Sequence, residues 1–138
     1  MLILLFATLF IYHSKQYSKT MENNLLSEYI SPAPDAKVLI LFGGNPYRRD
    51  EVIRQMITLS KVSIYGILSE EEGMQKLTEL PKVDLVLIGG RYSDEQRVRI
   101  RTYVKANLPN TFITEPGYDY AYDSVEILKD VKLKLQIN

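Results

Sequence analysis

The chain has no cysteine, no tryptophan and a single histidine, His13. Without cysteine there are no disulfides, thiolate nucleophiles or cysteine metal sites, and a reducing compartment suits the composition. One histidine, outside the expected domain, leaves no multi-histidine metal site and no histidine acid–base pair. Neither sign of charge is in excess. Lys plus Arg and Asp plus Glu number 17 each, so no whole-molecule field draws in nucleic acid or an anionic membrane. Nor is there an apolar run of the roughly 20 residues that a membrane-spanning helix needs. Met1 to Tyr12 (MLILLFATLFIY) comes nearest and stops short. It lacks the basic start and small-residue cleavage site of a signal peptide. Three readings stay open for it: the end of a membrane anchor with an earlier start, a short interfacial anchor with Lys15 and Lys19 at the headgroups, or residues upstream of a true start at Met21. The expected location is the cytoplasm, with membrane association left open through residues 1–12.

What the chain does have is enough length, at 138 residues, for one domain with a proper core. Residues 1–20 form the apolar N-terminal segment and 21–36 a linker closing on Ser31-Pro32-Ala33-Pro34-Asp35. The domain is expected over 37–138. Val38 to Phe42 and Val83 to Ile88 are continuous apolar runs, each ended by a glycine pair, Gly43-Gly44 and Gly89-Gly90. Continuous rather than alternating runs suit strands covered on both faces, which means a parallel sheet. Lys61 to Leu68 and Thr111 to Thr114 supply two further strands.

Helix signals fall between them. Asn45 is an N-cap with Pro46 behind it, followed by Val52, Ile53, Met56, Ile57 and Ser60 at helical spacing. Ser69 with Glu72 and Ser93 with Gln96 read as capping boxes. The first precedes Met74, Leu77 and Leu80; the second precedes Val98, Ile100, Tyr103, Val104 and Leu108. Asp123 to Gln136 reads as a last helix with Val125, Leu128, Val131 and Leu135 inward. Alternation of Val131, Leu133, Leu135 and Ile137 keeps a fifth strand open. The expected architecture is α/β: three layers around a doubly wound parallel sheet of four or five strands.

In the order of its elements, KVLILFGG first and VDLVLIGG third, the chain from 37 to about 136 resembles the receiver domain of response regulators, a flavodoxin-like fold. The receiver's chemistry does not follow the resemblance. Its metal-holding acidic pair falls on Phe42 and Gly43, and its phosphoacceptor aspartate falls on Gly89. Thr114 matches the hydroxyl after strand four, and the lysine after strand five has no counterpart. A glycine accepts no phosphoryl group, and without carboxylates a divalent metal has no ligands. The resemblance therefore implies a non-catalytic, protein-binding module, with bacterial-type signalling as its setting.

Candidate ligand residues come from the sheet's carboxyl end, where open parallel sheets bind ligands. They are Gly43, Gly44, Asn45, Arg48, Gly89, Gly90, Arg91, Glu115 and Tyr118, with Arg49 as a further source of positive charge. The alternative function built on them is a small-molecule or nucleotide-binding domain, including an enzyme. Against it stand the missing Lys-Ser/Thr of a P-loop, the absence of G-x-G-x-x-G, and Glu70, Glu71 and Glu72 nearby. Arg97, Arg101 and Lys105 recur every four residues and read as a solvated helix face. Neutral net charge and the lack of interleaved aromatics weigh against nucleic acid. Tyr118, Tyr120 and Tyr122 alternate, so an extended segment would show all three on one side, as a surface for a protein partner or self-association. Glu115 has no evident partner for acid–base work. No catalytic residue, metal ligand or cofactor is expected.

Overall fold

The computed structural model describes residues 25–138. The apolar run Met1 to Tyr12 and the alternative start at Met21 lie outside the described residues. Among the described residues, no helix is long and apolar enough to cross a membrane.

Among the described residues nine elements follow one another: β1 (Glu28–Tyr29), β2 (Lys37–Phe42), α1 (Pro46–Met56), β3 (Val62–Ile67), α2 (Glu70–Glu79), β4 (Leu85–Ile88), α3 (Asp94–Asn107), β5 (Phe112–Thr114) and α4 (Ser124–Leu135). One five-stranded sheet has the order β1-β3-β2-β4-β5. Strands β2, β3, β4 and β5 are mutually parallel where they pair, with Leu39 opposite both Ile64 and Leu85. The expectation of an all-parallel sheet is corrected: β1 joins the β3 edge antiparallel, so the sheet is mixed. That strand comes from the segment read as linker. Gly66 N donates to Ser27 O at 2.8 Å, Ser31 N to Ser63 Oγ at 2.9 Å, and Leu26 N to Asp50 Oδ1 at 2.7 Å. Two residues of strand give too short a pattern for periodicity to detect.

Alternation along the strands builds two cores. Leu39, Leu41, Ile64, Leu85 and Leu87 meet Val52, Ile53 and Met56 of α1 and Ile127, Val131 and Leu135 of α4. Ile40, Phe42, Ile67, Val86 and Ile88 meet Leu77 of α2 and Ile100 and Val104 of α3. The three layers follow directly, and double-sided cover explains why β4 is buried at all four residues. Gly73 on α2 is required by this packing, because a Cβ there would overlap the Phe42 ring.

The helix starts match their sequence signals closely. Asn45 Oδ1 accepts from Tyr47 N and Arg48 N, and Ser93 with Gln96 completes a reciprocal capping box. Ser69 caps α2, but the Glu72 carboxylate accepts from Leu68 N instead of closing the box. The C-terminal segment is a helix, as expected, capped by Asp123 and closed by Gln136 at φ 56. Its inward stripe is Ile127, Val131 and Leu135; Val125 is 68% exposed, because it lies about 200° around the axis from Ile127.

Candidate functional site

Strands β2 and β4 lie side by side, yet their following helices pack on opposite faces of the sheet. The chain therefore parts at their carboxyl ends and leaves a crevice, the location at which open α/β sheets take ligands. The crevice has a volume of about 250 Å³. Gly43, Gly44, Asn45, Arg48, Gly89, Gly90 and Arg91 all line it, joined by Arg49 and by three residues outside the candidate ligand set, Leu41, Val52 and Tyr122.

Its polar resources differ from those of a phosphate loop. The α1 N-terminus is already satisfied: Tyr47 and Arg48 donate to the Asn45 side chain, Arg49 N donates to Asn45 O at 2.9 Å, and Pro46 has no N–H. Gly43 O and Gly89 O are also taken, the first by Tyr92 Oη at 2.9 Å and the second by Arg97 Nη2 at 2.8 Å. Burial, first of all, pushes the Tyr92 phenol well above its ordinary value, so it stays a neutral donor to Gly43.

The positive charge is where the crevice is distinctive. Arg48 pairs with Glu51 at 3.0 Å and lies over the Tyr122 ring, 5.1 Å from its centroid. Among the described residues, Arg49 and Arg91 have no carboxylate partner. Arg49 Nε is the one buried side-chain nitrogen or oxygen there that lacks a hydrogen bond. Arg91 lays its stem along Gly44. The glutamates expected to repel an anion do not reach the cavity: Glu70 is held by Arg99 at 2.6 and 2.7 Å, and Glu72 by Leu68 N.

Glu115 and Tyr118 stand elsewhere, and their reading is corrected. Glu115 is 5% exposed and has two partners. Arg97 Nη1 donates to Oε1 at 2.8 Å; Arg101 Nε donates to Oε2 at 2.6 Å and Nη2 to Oε1 at 3.0 Å. Tyr118 lies over both guanidinium groups at 5.1 and 4.9 Å. Burial alone would raise the Glu115 carboxyl, but the hydrogen bonds from Arg101 and Arg97 outweigh it and hold its pKa below the ordinary range. A carboxylate so held is a structural anchor. Arg97, read as part of a solvated stripe, is 3% exposed and takes an inward position on α3, while Val98 is 53% exposed. The sequence missed this because a buried arginine shows itself only through a partner 18 residues away.

The tyrosines do not share one side. The chain turns at Gly117, whose N–H donates to Tyr120 O at 2.7 Å. Tyr118 goes to the arginine pair, Tyr120 bonds Thr114 Oγ1 at 2.6 Å, and Tyr122 forms a crevice wall. No group of acidic or histidine side chains suited to a metal ion occurs among the described residues.

Set against protein-family models, curated protein sequences and solved structures, the chain matches none of them. The fold and the crevice define it only as an α/β protein with a five-stranded mixed sheet and four described helices.

Proposed function

We propose that the protein is a non-catalytic binding domain that holds a small anionic ligand in the crevice between Gly43-Gly44 and Gly89-Gly90. The observation that carries this reading is a pair of arginines, Arg49 and Arg91, lining one cavity and forming no salt bridge among the described residues. The buried Arg49 Nε lacks a hydrogen bond, and a buried unpaired donor costs about 1–3 kcal/mol, so a ligand oxyanion that accepts from the arginines completes the site. Among the described residues that line the crevice none is a carboxylate, histidine, cysteine or serine, which is why binding rather than turnover is proposed. The test is calorimetric titration of the full chain with inorganic phosphate. Saturable binding is expected, lost in Arg91→Ala; equal heats in wild type and variant count against the site.

A second reading keeps the receiver-like, flavodoxin-like module that binds a protein. It draws on the order of the parallel strands, with β2 between β3 and β4. It draws also on Phe42 and Gly43 standing where a receiver carries acids, and on a Gly89 whose added Cβ would lie 2.9 Å from Phe42 O. Tyr47 and Tyr118, 70% and 55% exposed, follow β2 and β5 at the same end of the sheet and suit a protein surface. Self-association is its simplest form, and sedimentation of wild type against Tyr118→Ala tests it. A larger wild-type mass favours this reading, whereas identical monomers count against self-association.

A further inference from the structure

The crevice has two kinds of lining, and the combination bears on what it takes. Gly43, Gly44, Gly89, Gly90 and the two arginines without a salt bridge among the described residues share it with Leu41, Val52 and the Tyr122 ring, which borders Gly90. Leu41 and Val52 belong to the core and are 2% and 4% exposed, so the apolar wall is fixed by the fold rather than by a loose loop. Tyr122 is held as well, with Arg48 stacked on it and its ring edge close to where side chains at Gly90 and Gly117 would be.

We infer that the ligand is a small amphipathic anion, a phosphate monoester or carboxylate carried on a short planar or apolar group. This rests on the reading of the crevice as an anion site. The oxyanion sits at the glycine loops, where the Arg91 stem lies along Gly44 and brings its guanidinium to the site. The carbon part lies against Val52 and Tyr122, removing apolar surface from water. The volume, about 250 Å³, falls below the ~300–1,000 Å³ typical of sites for drug-sized ligands. A dinucleotide exceeds it. The chain also lacks the glycine fingerprint that a dinucleotide pyrophosphate requires.

The experiment is calorimetry on the full chain with five probes: inorganic phosphate, phenyl phosphate, benzoate, benzyl alcohol and a nicotinamide dinucleotide. Phenyl phosphate is expected to bind roughly tenfold or more tighter than inorganic phosphate, since one phenyl group removes enough apolar surface for that factor. Benzoate should bind, benzyl alcohol should not, and the dinucleotide should do no better than inorganic phosphate. In Tyr122→Ala the ratio of phenyl phosphate to inorganic phosphate affinity should fall towards one; the wild-type comparison stands without this variant if it fails to fold. Equal affinity for phenyl and inorganic phosphate, both lost in Arg91→Ala, overturns the amphipathic ligand and leaves the anion site standing. Tightest binding of the dinucleotide overturns the size limit, and silence across all five probes overturns both readings.

Discussion

Arg97 and Glu115 meet inside the protein, Nη1 to Oε1 at 2.8 Å, with 3% and 6% of their side chains exposed. The same guanidinium binds Gly89 O through Nη2 and Tyr92 O through Nε. One side chain thus ties helix α3, the end of β5 and the loop that forms one wall of the crevice. Arg97 depends on Glu115, because a guanidinium left at this depth without its carboxylate has no counter-charge.

Glu115→Gln should therefore destabilise the fold by about 3–5 kcal/mol, the cost of stranding a buried charge. Urea denaturation measures it. A loss under about 1 kcal/mol, the scale of exposed pairs, contradicts the anchoring role.

The same carboxyl sets a pH dependence. Its folded pKa lies below the ordinary 4.5, so the folded state binds its proton less readily than the unfolded chain. The resulting stability is complete above that ordinary value and is lost as pH falls through the lower folded one. Asp50 and Glu70 are shifted in the same direction and add to the slope. Denaturation midpoints should be flat above about pH 5 and fall below it. Glu115→Gln should flatten part of that fall, and an unchanged slope removes Glu115 from the explanation.

Gly73→Ala should destabilise by about 1–3 kcal/mol or more, because its methyl group must displace the fully buried Phe42 ring. In an exposed helix the same change would stabilise, so the sign alone decides the matter. Thermal unfolding reads it.

Asp50→Ala tests whether β1 belongs to the folded unit. Asp50 accepts from Leu26 N at 2.7 Å and from Arg54 Nε at 2.9 and 3.0 Å. Its loss should cost about 1–3 kcal/mol and remove hydrogen-exchange protection at Leu26 and Gly66 before the rest of the sheet. Protection kept at both amides contradicts a strap held by Asp50.

The four parallel strands and the helix starts were legible because each rests on local chemistry: an unbroken apolar run, or a capping side chain two or three residues from the amide it satisfies. The glycine loops were legible for the same reason, since they end those runs, and seven of the nine candidate ligand residues meet in one cavity. What escaped depends on distance in sequence. Arg97 is buried because Glu115 and Gly89 are there to receive it, and the spacing of arginines on α3 holds no trace of that. Tyr122 reaches the crevice only because the chain turns at Gly117, which scattered tyrosines that alternation placed together. The strand at Glu28–Tyr29 is too short for any period, and its pairing is specified by Ser63, Asp50 and Gly66, whose N–H donates to Ser27 O.

The central claim, an anion held between the two glycine loops, is tested most directly by mapping backbone-amide NMR signals of the isotope-labelled full chain during titration with phenyl phosphate. The largest shifts are expected at Gly44, Gly90 and Arg91, saturating together and disappearing in Arg91→Ala. Shifts confined to the exposed cations of α3, or growing without saturation, would show a general charge effect and contradict the site.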